Sequence, residues 1–65
     1  MAERKLWAVI IEYVNGDLEP ETYYDWHQAM SYAHHMSTWL TVAHVAIHNA
    51  QGVVVWTHTN ERTQL

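Results

Sequence analysis

Apolar and polar positions along the chain first predict a β-hairpin. Residues 5–14 are rich in β-branched and aromatic side chains, a composition typical of a strand. Asn15 and Gly16 follow, and this dipeptide favours a two-residue type I′ turn, because both of its positions need a positive φ. Residues 18–24 form the second predicted strand. Since Pro20 cannot donate a ladder hydrogen bond, we expect this strand at an edge of the sheet.

The next segment has the period of an amphipathic helix. Asp25 and Gln28 form an Asp variant of the capping box, in which the carboxylate accepts from a free amide of the first turn. A helix is therefore predicted from residue 26 to about residue 38. One arc of this helix is largely apolar and should face the core. That arc contains Trp26, Ala29, Met30, Ala33, Met36 and Ser37.

Two more strands complete the predicted fold. Residues 39–49 return to a strand pattern, and residues 49–52 fit a type I turn whose Gly52 takes the left-handed position of a G1-bulge hairpin. Residues 53–59 form the last strand. The sequence thus predicts an α+β fold of the ββαββ type. It consists of a four-stranded antiparallel sheet in the order 2-1-3-4, with one helix packed on one face.

One helix can cover only one face of this sheet. It should pack on Trp7, Val9, Ile11, Tyr13, Val45, Ile47, Val53 and Val55. The uncovered, or open, face is expected to present Leu6, Ala8, Ile10, Val14, Tyr23, Val42, Ala46, Val54 and Trp56, bordered by His44, His48 and His58. Because monomers rarely expose large contiguous apolar patches, we expect this face to bind a partner protein or a second copy. The residues assigned to that interface are Ile10, Val14, Tyr23, Val54 and Trp56. Scattered exposed apolar residues on a thin sheet are the alternative.

Negative charge is concentrated around the first hairpin. Five of the 7 Asp and Glu residues lie between residues 12 and 25, namely Glu12, Asp17, Glu19, Glu21 and Asp25. The 3 Lys and Arg residues lie near the termini, so the cluster of basic residues that direct nucleic-acid binding requires is missing. The hairpin is suited to docking on a basic protein surface, with Glu12, Asp17, Glu19 and Glu21 as contacts. Alternatively, these charges only keep a strand edge from aggregating.

Composition indicates one small domain. The 65 residues have 49 % hydrophobic content and a net charge of −4, which excludes a second domain and argues against disorder. We take residues 1–65 as a single domain with frayed ends at 1–4 and 61–65. The absence of Cys excludes disulfides and thiolate zinc sites. No apolar run approaches the ~20 residues of a membrane span, and no signal peptide is recognisable, so a cytoplasmic protein without membrane contact is expected.

Histidines provide a second hypothesis. The chain has 6 of them, and His44 opposes His58 in the expected register of the last hairpin, close enough for a two-His metal site. A third ligand is not evident, whereas tetrahedral zinc sites have four ligands. Protonation of all six would take the formal charge from −4 to +2 (−4 plus 6). A histidine-based metal-binding or pH-responsive protein is therefore the alternative to a protein-binding module.

The sequence contains no signature of a catalytic site. The sequence contains no Gly-rich phosphate loop, no Gly-x-Ser-x-Gly elbow and no Cys nucleophile. One helix on a small sheet also leaves little room for a ligand pocket of several hundred Å³. We therefore expect no enzyme and no cofactor, but a protein that acts by binding another protein or a second copy of itself.

Residues 6–48 also carry a recognisable layout. It consists of the strand that begins Leu6-Trp7-Ala8-Val9, a hairpin, the segment 21–25, the Ala- and His-containing helix 26–36 and the strand 40–47. This layout resembles the gene 2 type inhibitors of host RNA polymerase from short-tailed coliphages. In that family the third strand carries arginines that contact the polymerase, where this chain has His44 and His48. The resemblance implies a compact phage-type regulator or inhibitor that binds a host protein.

Overall fold

A computed structural model of the chain describes residues 6–60. The elements are β1 (Trp7–Tyr13), β2 (Leu18–Tyr23), α1 (Trp26–Ser37), β3 (Val42–His48) and β4 (Val54–Thr59). The strands form a four-stranded antiparallel sheet in the order β2-β1-β3-β4, with α1 on one face. The predicted ββαββ fold of the α+β class is therefore confirmed. The frayed ends predicted at 1–4 and 61–65 lie outside the described residues.

The core lies between α1 and the two central strands. Small side chains at Ala29 and Ala33 face the sheet and are fully buried, so the helix can approach the strands closely. At one end of this layer, the rings of Trp7 and Trp26 meet edge to face with centroids 4.8 Å apart. The buried cluster consists of Val9, Ile11, Ala29, Ala33, Met36, Val42, Val45 and Ile47.

α1 begins at the cap that the sequence predicts. Asp25 is extended (φ −121°, ψ 126°), and its Oδ2 accepts from the backbone N–H of Gln28 at 3.2 Å. At the other end, the hydroxyl of Thr38 donates to the carbonyl of His35 at 2.7 Å. None of the helices in the described part of the chain has the length and apolar character required to cross a membrane.

The turn of the first hairpin differs from the predicted one. Gly16 has a positive φ of 95°, whereas Asn15 does not, so this is not a type I′ turn. The N–H of Tyr13 donates to the carbonyl of Asp17 at 2.8 Å, which makes the loop three residues long. Glu12 consequently pairs with Leu18 instead of Glu19. A shift of one residue turns every β2 side chain to the opposite face.

The last hairpin has the predicted turn but an unpredicted bulge. Gly52 has a φ of 83°, and Asn49 N–H donates to the carbonyl of Val53 at 2.9 Å, as expected for a G1-type loop. His48 then pairs with Val54, but Ile47 pairs with Trp56, so Val55 is an extra residue in β4. Beyond the bulge the side chains are reversed, and the predicted helix contacts of Val53 and Val55 are wrong. Both side chains are exposed.

A second bulge changes the start of β3. The chain reverses through residues 39–41, where Val42 N–H donates to the carbonyl of Trp39 at 3.2 Å, so the strand begins three residues later than predicted. Glu12 pairs with His44 and Tyr13 with Val42, which leaves Ala43 as the extra residue. Val42, predicted on the open face, is therefore fully buried in the core.

Candidate functional site

The altered first hairpin places acidic side chains on the helix side of the sheet. Val9 and Ile11 are core residues, and they pair directly with Glu21 and Glu19 of β2. Directly paired residues in an antiparallel sheet point to the same face. Both carboxylates are half-buried there, while their neighbours in β2 are exposed. We call the resulting group the acidic tyrosine cluster, which consists of Tyr13, Glu19, Glu21, Tyr23 and Tyr32.

Tyr13 and Glu19 form the tightest contact of this cluster. The Tyr13 hydroxyl donates to Glu19 Oε1 at 2.5 Å, within the range of a charge-assisted O–H···O⁻ bond. This hydrogen bond, followed by burial and the charge of Glu19, raises the pKa of Tyr13 to about 12. The hydroxyl is therefore held in its neutral, donating form, and the Glu19 carboxylate stays fixed against it.

Tyr23 and Tyr32 face each other beside the two carboxylates. Their ring centroids are 5.7 Å apart with an interplanar angle of 45°. Burial raises the pKa of Tyr32, and the charges of Glu19 and Glu21 raise it further. Burial, with the charge of Glu21, also raises the pKa of Tyr23. The two phenols thus lie in the negative field of the carboxylates.

A groove adjoins the cluster between β2 and α1. It has a volume of about 460 Å³ and is open to solvent. Tyr23 and Tyr32 belong to both the groove and the cluster, so the groove has an aromatic wall with carboxylates nearby. Its lining residues are Tyr23, Gln28, Ser31, Tyr32 and His35. Little room for such a depression was expected from the sequence.

The charge of this region is not balanced by basic residues of the described chain. Residues 6–60 contain five carboxylates and no Lys or Arg. Residues 26–60 contain no Asp, Glu, Lys or Arg at all, so the formal charge lies on β1, the first loop, β2 and the helix cap. A cation that enters the groove would be attracted by the carboxylates of Glu19 and Glu21, and it would meet aromatic rings.

The uncovered face is less apolar than expected. Ile10 lies on it, half-buried, and pairs with Ala46 on one side and Pro20 on the other. Polar side chains border this short apolar strip, because the same face carries Glu12, Thr22, His44, His48 and Thr57. The exposed apolar side chains of Leu18 and Val54 lie on this face as well. This face therefore mixes apolar and polar side chains, and it is not a purely apolar surface.

Tyr23 and Trp56, which were both assigned to the uncovered face, lie on the helix side of the sheet. Tyr23 pairs with Trp7 and contacts Tyr32 of the helix. Trp56 pairs with Ile47 and packs against the core, with its ring centroid 5.3 Å from that of His34. The predictions that placed both on the open face are wrong, because the hairpin loop shifted β2 and the bulge at Val55 reversed β4.

The remaining predicted contact residues lie in several places. Val14 is 55 % exposed in the first hairpin loop, and Val54, which pairs with His48, is 48 % exposed on the open face, as predicted. Glu12 and Asp17 are exposed, Glu12 on the open face and Asp17 at the loop. The structure therefore brings only Glu19, Glu21 and Tyr23 together out of the predicted set.

The predicted pair of histidines is separated. His44 pairs with Thr59 and its Nδ1 is 2.9 Å from the Thr59 hydroxyl, on the open face. His58 pairs with Val45, on the helix side, and its Nε2 lies 2.8 Å from Asn60 Oδ1. The expectation of a two-His site is wrong, since the two rings are on opposite faces. Among residues 6–60, no three His, Asp or Glu side chains are grouped to hold a metal ion.

Sequence reasoning missed Tyr13 and Tyr32 as members of a site. Tyr32 borders the apolar arc of the predicted helix, and Tyr13 is one of the sheet residues on which that helix is expected to pack. A three-residue first loop brings Tyr13, Glu19 and Glu21 to one face, but the Asn-Gly dipeptide does not signal that loop length.

Comparisons with known proteins add no relative to this description. No protein-family model matches the chain, and neither a curated protein nor a solved structure matches it. The resemblance to the gene 2 type inhibitors stays an expectation from the layout.

Proposed function

We propose that the chain is a non-catalytic protein-binding module whose acidic tyrosine cluster holds a Lys- or Arg-bearing segment of a cytoplasmic partner protein. One observation carries this proposal. Glu19 and Glu21 lie half-buried beside the tyrosines, and residues 6–60 supply no Lys or Arg to neutralise them. The proposal shares with the gene 2 type inhibitors only that a host protein is bound, because their contact is made by arginines of the third strand and this one by carboxylates of β2.

The chemistry of the cluster suits a guanidinium or ammonium group. Arg stacks on aromatic rings and pairs with carboxylates through two parallel hydrogen bonds. Tyr13 occupies one oxygen of Glu19, but an ionised carboxylate offers about four lone-pair sites, so further donors can be accepted. Tyr23 and Tyr32 supply rings next to these acceptors. The acidic tyrosine cluster thus combines charge, stacking surface and hydrogen-bond acceptors for one basic side chain, and the adjoining groove shares its two rings Tyr23 and Tyr32.

The charge distribution also favours rapid encounter. The exposed carboxylates of Glu12, Asp17 and Asp25 lie outside the site, on the same hairpin and at the helix cap. Such charges steer an oppositely charged partner and raise the association rate, and salt screens them. Binding of a basic segment is therefore expected to weaken as ionic strength rises.

A titration with defined peptides tests this proposal. The probes are a fluorescent Arg/Gly/Ser peptide and an uncharged Gln/Gly/Ser peptide of equal length. We expect saturable binding of the basic peptide only. Glu21→Gln should raise its dissociation constant about ten-fold, because one charge-assisted hydrogen bond contributes about 1.5 kcal/mol.

Glu12→Gln is the matched control. It removes the same charge from the open face of the sheet, away from the groove, so the dissociation constant should change by less than about two-fold. Equal effects of Glu12→Gln and Glu21→Gln would show only diffuse attraction, and absence of basic-peptide binding would overturn the proposal.

A further inference from the structure

The two edges of the sheet are protected very differently. β2 carries Pro20, which has no N–H to offer, and the charged residues Glu19 and Glu21. These are devices by which proteins prevent strands from pairing with other chains. β4 has neither: it contains no proline and no Asp, Glu, Lys or Arg. Its one irregularity is the bulge at Val55, next to the hairpin loop, and all its residues except Trp56 are exposed. Its Val and Thr side chains favour extended pairing.

The backbone of β4 points pairing groups outward at alternate residues. Asn60 N–H donates to the carbonyl of Ala43 at 2.9 Å, which marks that pair as a hydrogen-bonded one. Hydrogen-bonded and non-bonded pairs alternate along an antiparallel ladder. Thr59, paired with His44, and Thr57, paired with Ala46, are then both turned so that their N–H and carbonyl groups face away from β3. These groups form a row that can receive another strand.

The distribution of charge indicates which strand pairs with β4. All five carboxylates of residues 6–60 lie at residues 12–25, on β1, the first loop, β2 and the helix cap. Two copies of this acidic chain would repel each other if they met at β2. At β4 they meet through a segment without formal charge, and their acidic hairpins lie at the two outer ends of the joined sheet. The β4 edge is therefore complementary to itself.

We propose that two copies of the chain pair through antiparallel β4 strands about a two-fold axis at Thr57, forming an eight-stranded sheet. In this register Thr57 pairs with its own copy, and Val55 pairs with Thr59. On the helix side, Trp56 of one copy lies opposite His58 of the other. Within one chain these two rings already stack with centroids 6.2 Å apart, so the pairing extends an existing aromatic surface. An isologous contact of this kind closes at two subunits.

Sedimentation equilibrium of the full chain tests the dimer. The wild-type chain should sediment with twice its monomer mass. Thr57→Lys places two like charges opposite each other on the axis and should raise the dimer dissociation constant about ten-fold or more. Thr22→Lys is the matched control, because it makes the same substitution at an exposed residue of the same face on the other edge strand. Its dissociation constant should stay within about two-fold of wild type.

Amide hydrogen exchange in the wild-type chain gives a second readout that needs no variant. The N–H groups of Thr57 and Thr59 should become protected as protein concentration rises, because they enter the new ladder. A monomer throughout the concentration range, a dimer that Thr22→Lys weakens as much as Thr57→Lys, or exchange at Thr57 that is fast at all concentrations would each overturn the proposal.

Discussion

The hydroxyl of Tyr13 donates a hydrogen bond of 2.5 Å to Glu19 Oε1 across the first hairpin. Tyr13 is the last residue of β1, and Glu19 pairs with Ile11, two residues earlier. The contact is therefore diagonal, and it exists only in the register with a three-residue loop. A shift of one residue would send Glu19 to the opposite face. This bond links the geometry of the loop to the acidic tyrosine cluster beside the groove.

Stability should fall at high pH through Tyr13. Its pKa is about 12 in the folded chain, against 10.0 for the free side chain, so the unfolded chain loses this proton first. The contribution of the Tyr13 hydroxyl to the free energy of unfolding is complete below pH 10 and is lost as pH rises from 10 to 12. The raised pKa values of Tyr23 and Tyr32 act in the same direction. Urea unfolding at pH values across this window measures the effect, and Tyr13→Phe should make the decline shallower.

The substitution Glu19→Gln tests the cause of the raised Tyr13 pKa. The substitution keeps an acceptor for the Tyr13 hydroxyl but removes the negative charge, so the pKa of Tyr13 should fall below about 12. Ultraviolet absorbance of tyrosinate follows this titration. Glu12→Gln, on the other face, should leave the curve unchanged. An unaltered curve in Glu19→Gln would mean that the hydrogen bond is not formed in solution.

The strand order was accessible from sequence because it depends on coarse features. Pro20 indicated an edge strand, the apolar residues of β1 indicated a central one, and Asp25 marked the start of the helix. Each of these signals is carried by the residues themselves. They therefore remain valid when the register moves by one residue.

The faces were harder to predict, because alternation fixes them only within an uninterrupted stretch. The bulges at Ala43 and Val55 have neither Gly nor Pro to announce them. Their effect is tertiary: they turn Val42 and Trp56 towards the core. The groove was missed for the same reason, since it depends on a loop whose length the Asn-Gly dipeptide did not reveal.

Substitutions in the first loop distinguish the two turns. Gly16 has a φ of 95°, and a Cβ added there would meet no atom within 4 Å, so Gly16→Ala should cost about 1–2 kcal/mol through backbone strain alone. Asn15 does not have a positive φ, and Asn15→Ala removes only its side-chain bonds with Asp17, at about 0.5–1 kcal/mol. Chemical denaturation measures both. A cost for Asn15→Ala as large as that for Gly16→Ala would favour the type I′ turn, in which both residues have a positive φ.

Two tryptophan substitutions test the position of β4. Trp56 packs on the core and on His34, and Trp56→Ala should destabilise the fold by about 2 kcal/mol, less than a fully buried tryptophan would. Trp39 is 46 % exposed at the end of the helix, with its ring 6.0 Å from that of His35. Trp39→Ala should cost less than about 1 kcal/mol. Equal costs in urea unfolding would contradict the bulge at Val55. Without that bulge, Trp56 would lie on the open face and would have no core contacts to lose.

The helix cap provides a prediction for the boundary between the acidic hairpin and α1. Asp25 Oδ2 accepts from Gln28 N–H at 3.2 Å, and its charge lies at the positive end of the helix dipole. Asp25→Ala should therefore destabilise the fold by about 1 kcal/mol. Asp25→Asn keeps the acceptor and should cost only a few tenths of a kcal/mol, on the order of the dipole term alone. Asp17→Ala, which removes a carboxylate from the loop without touching the helix, is the control for a general charge effect in thermal unfolding. If Asp17→Ala and Asp25→Ala shift the stability alike, repulsion within the acidic hairpin, and not the cap, governs this end of the helix.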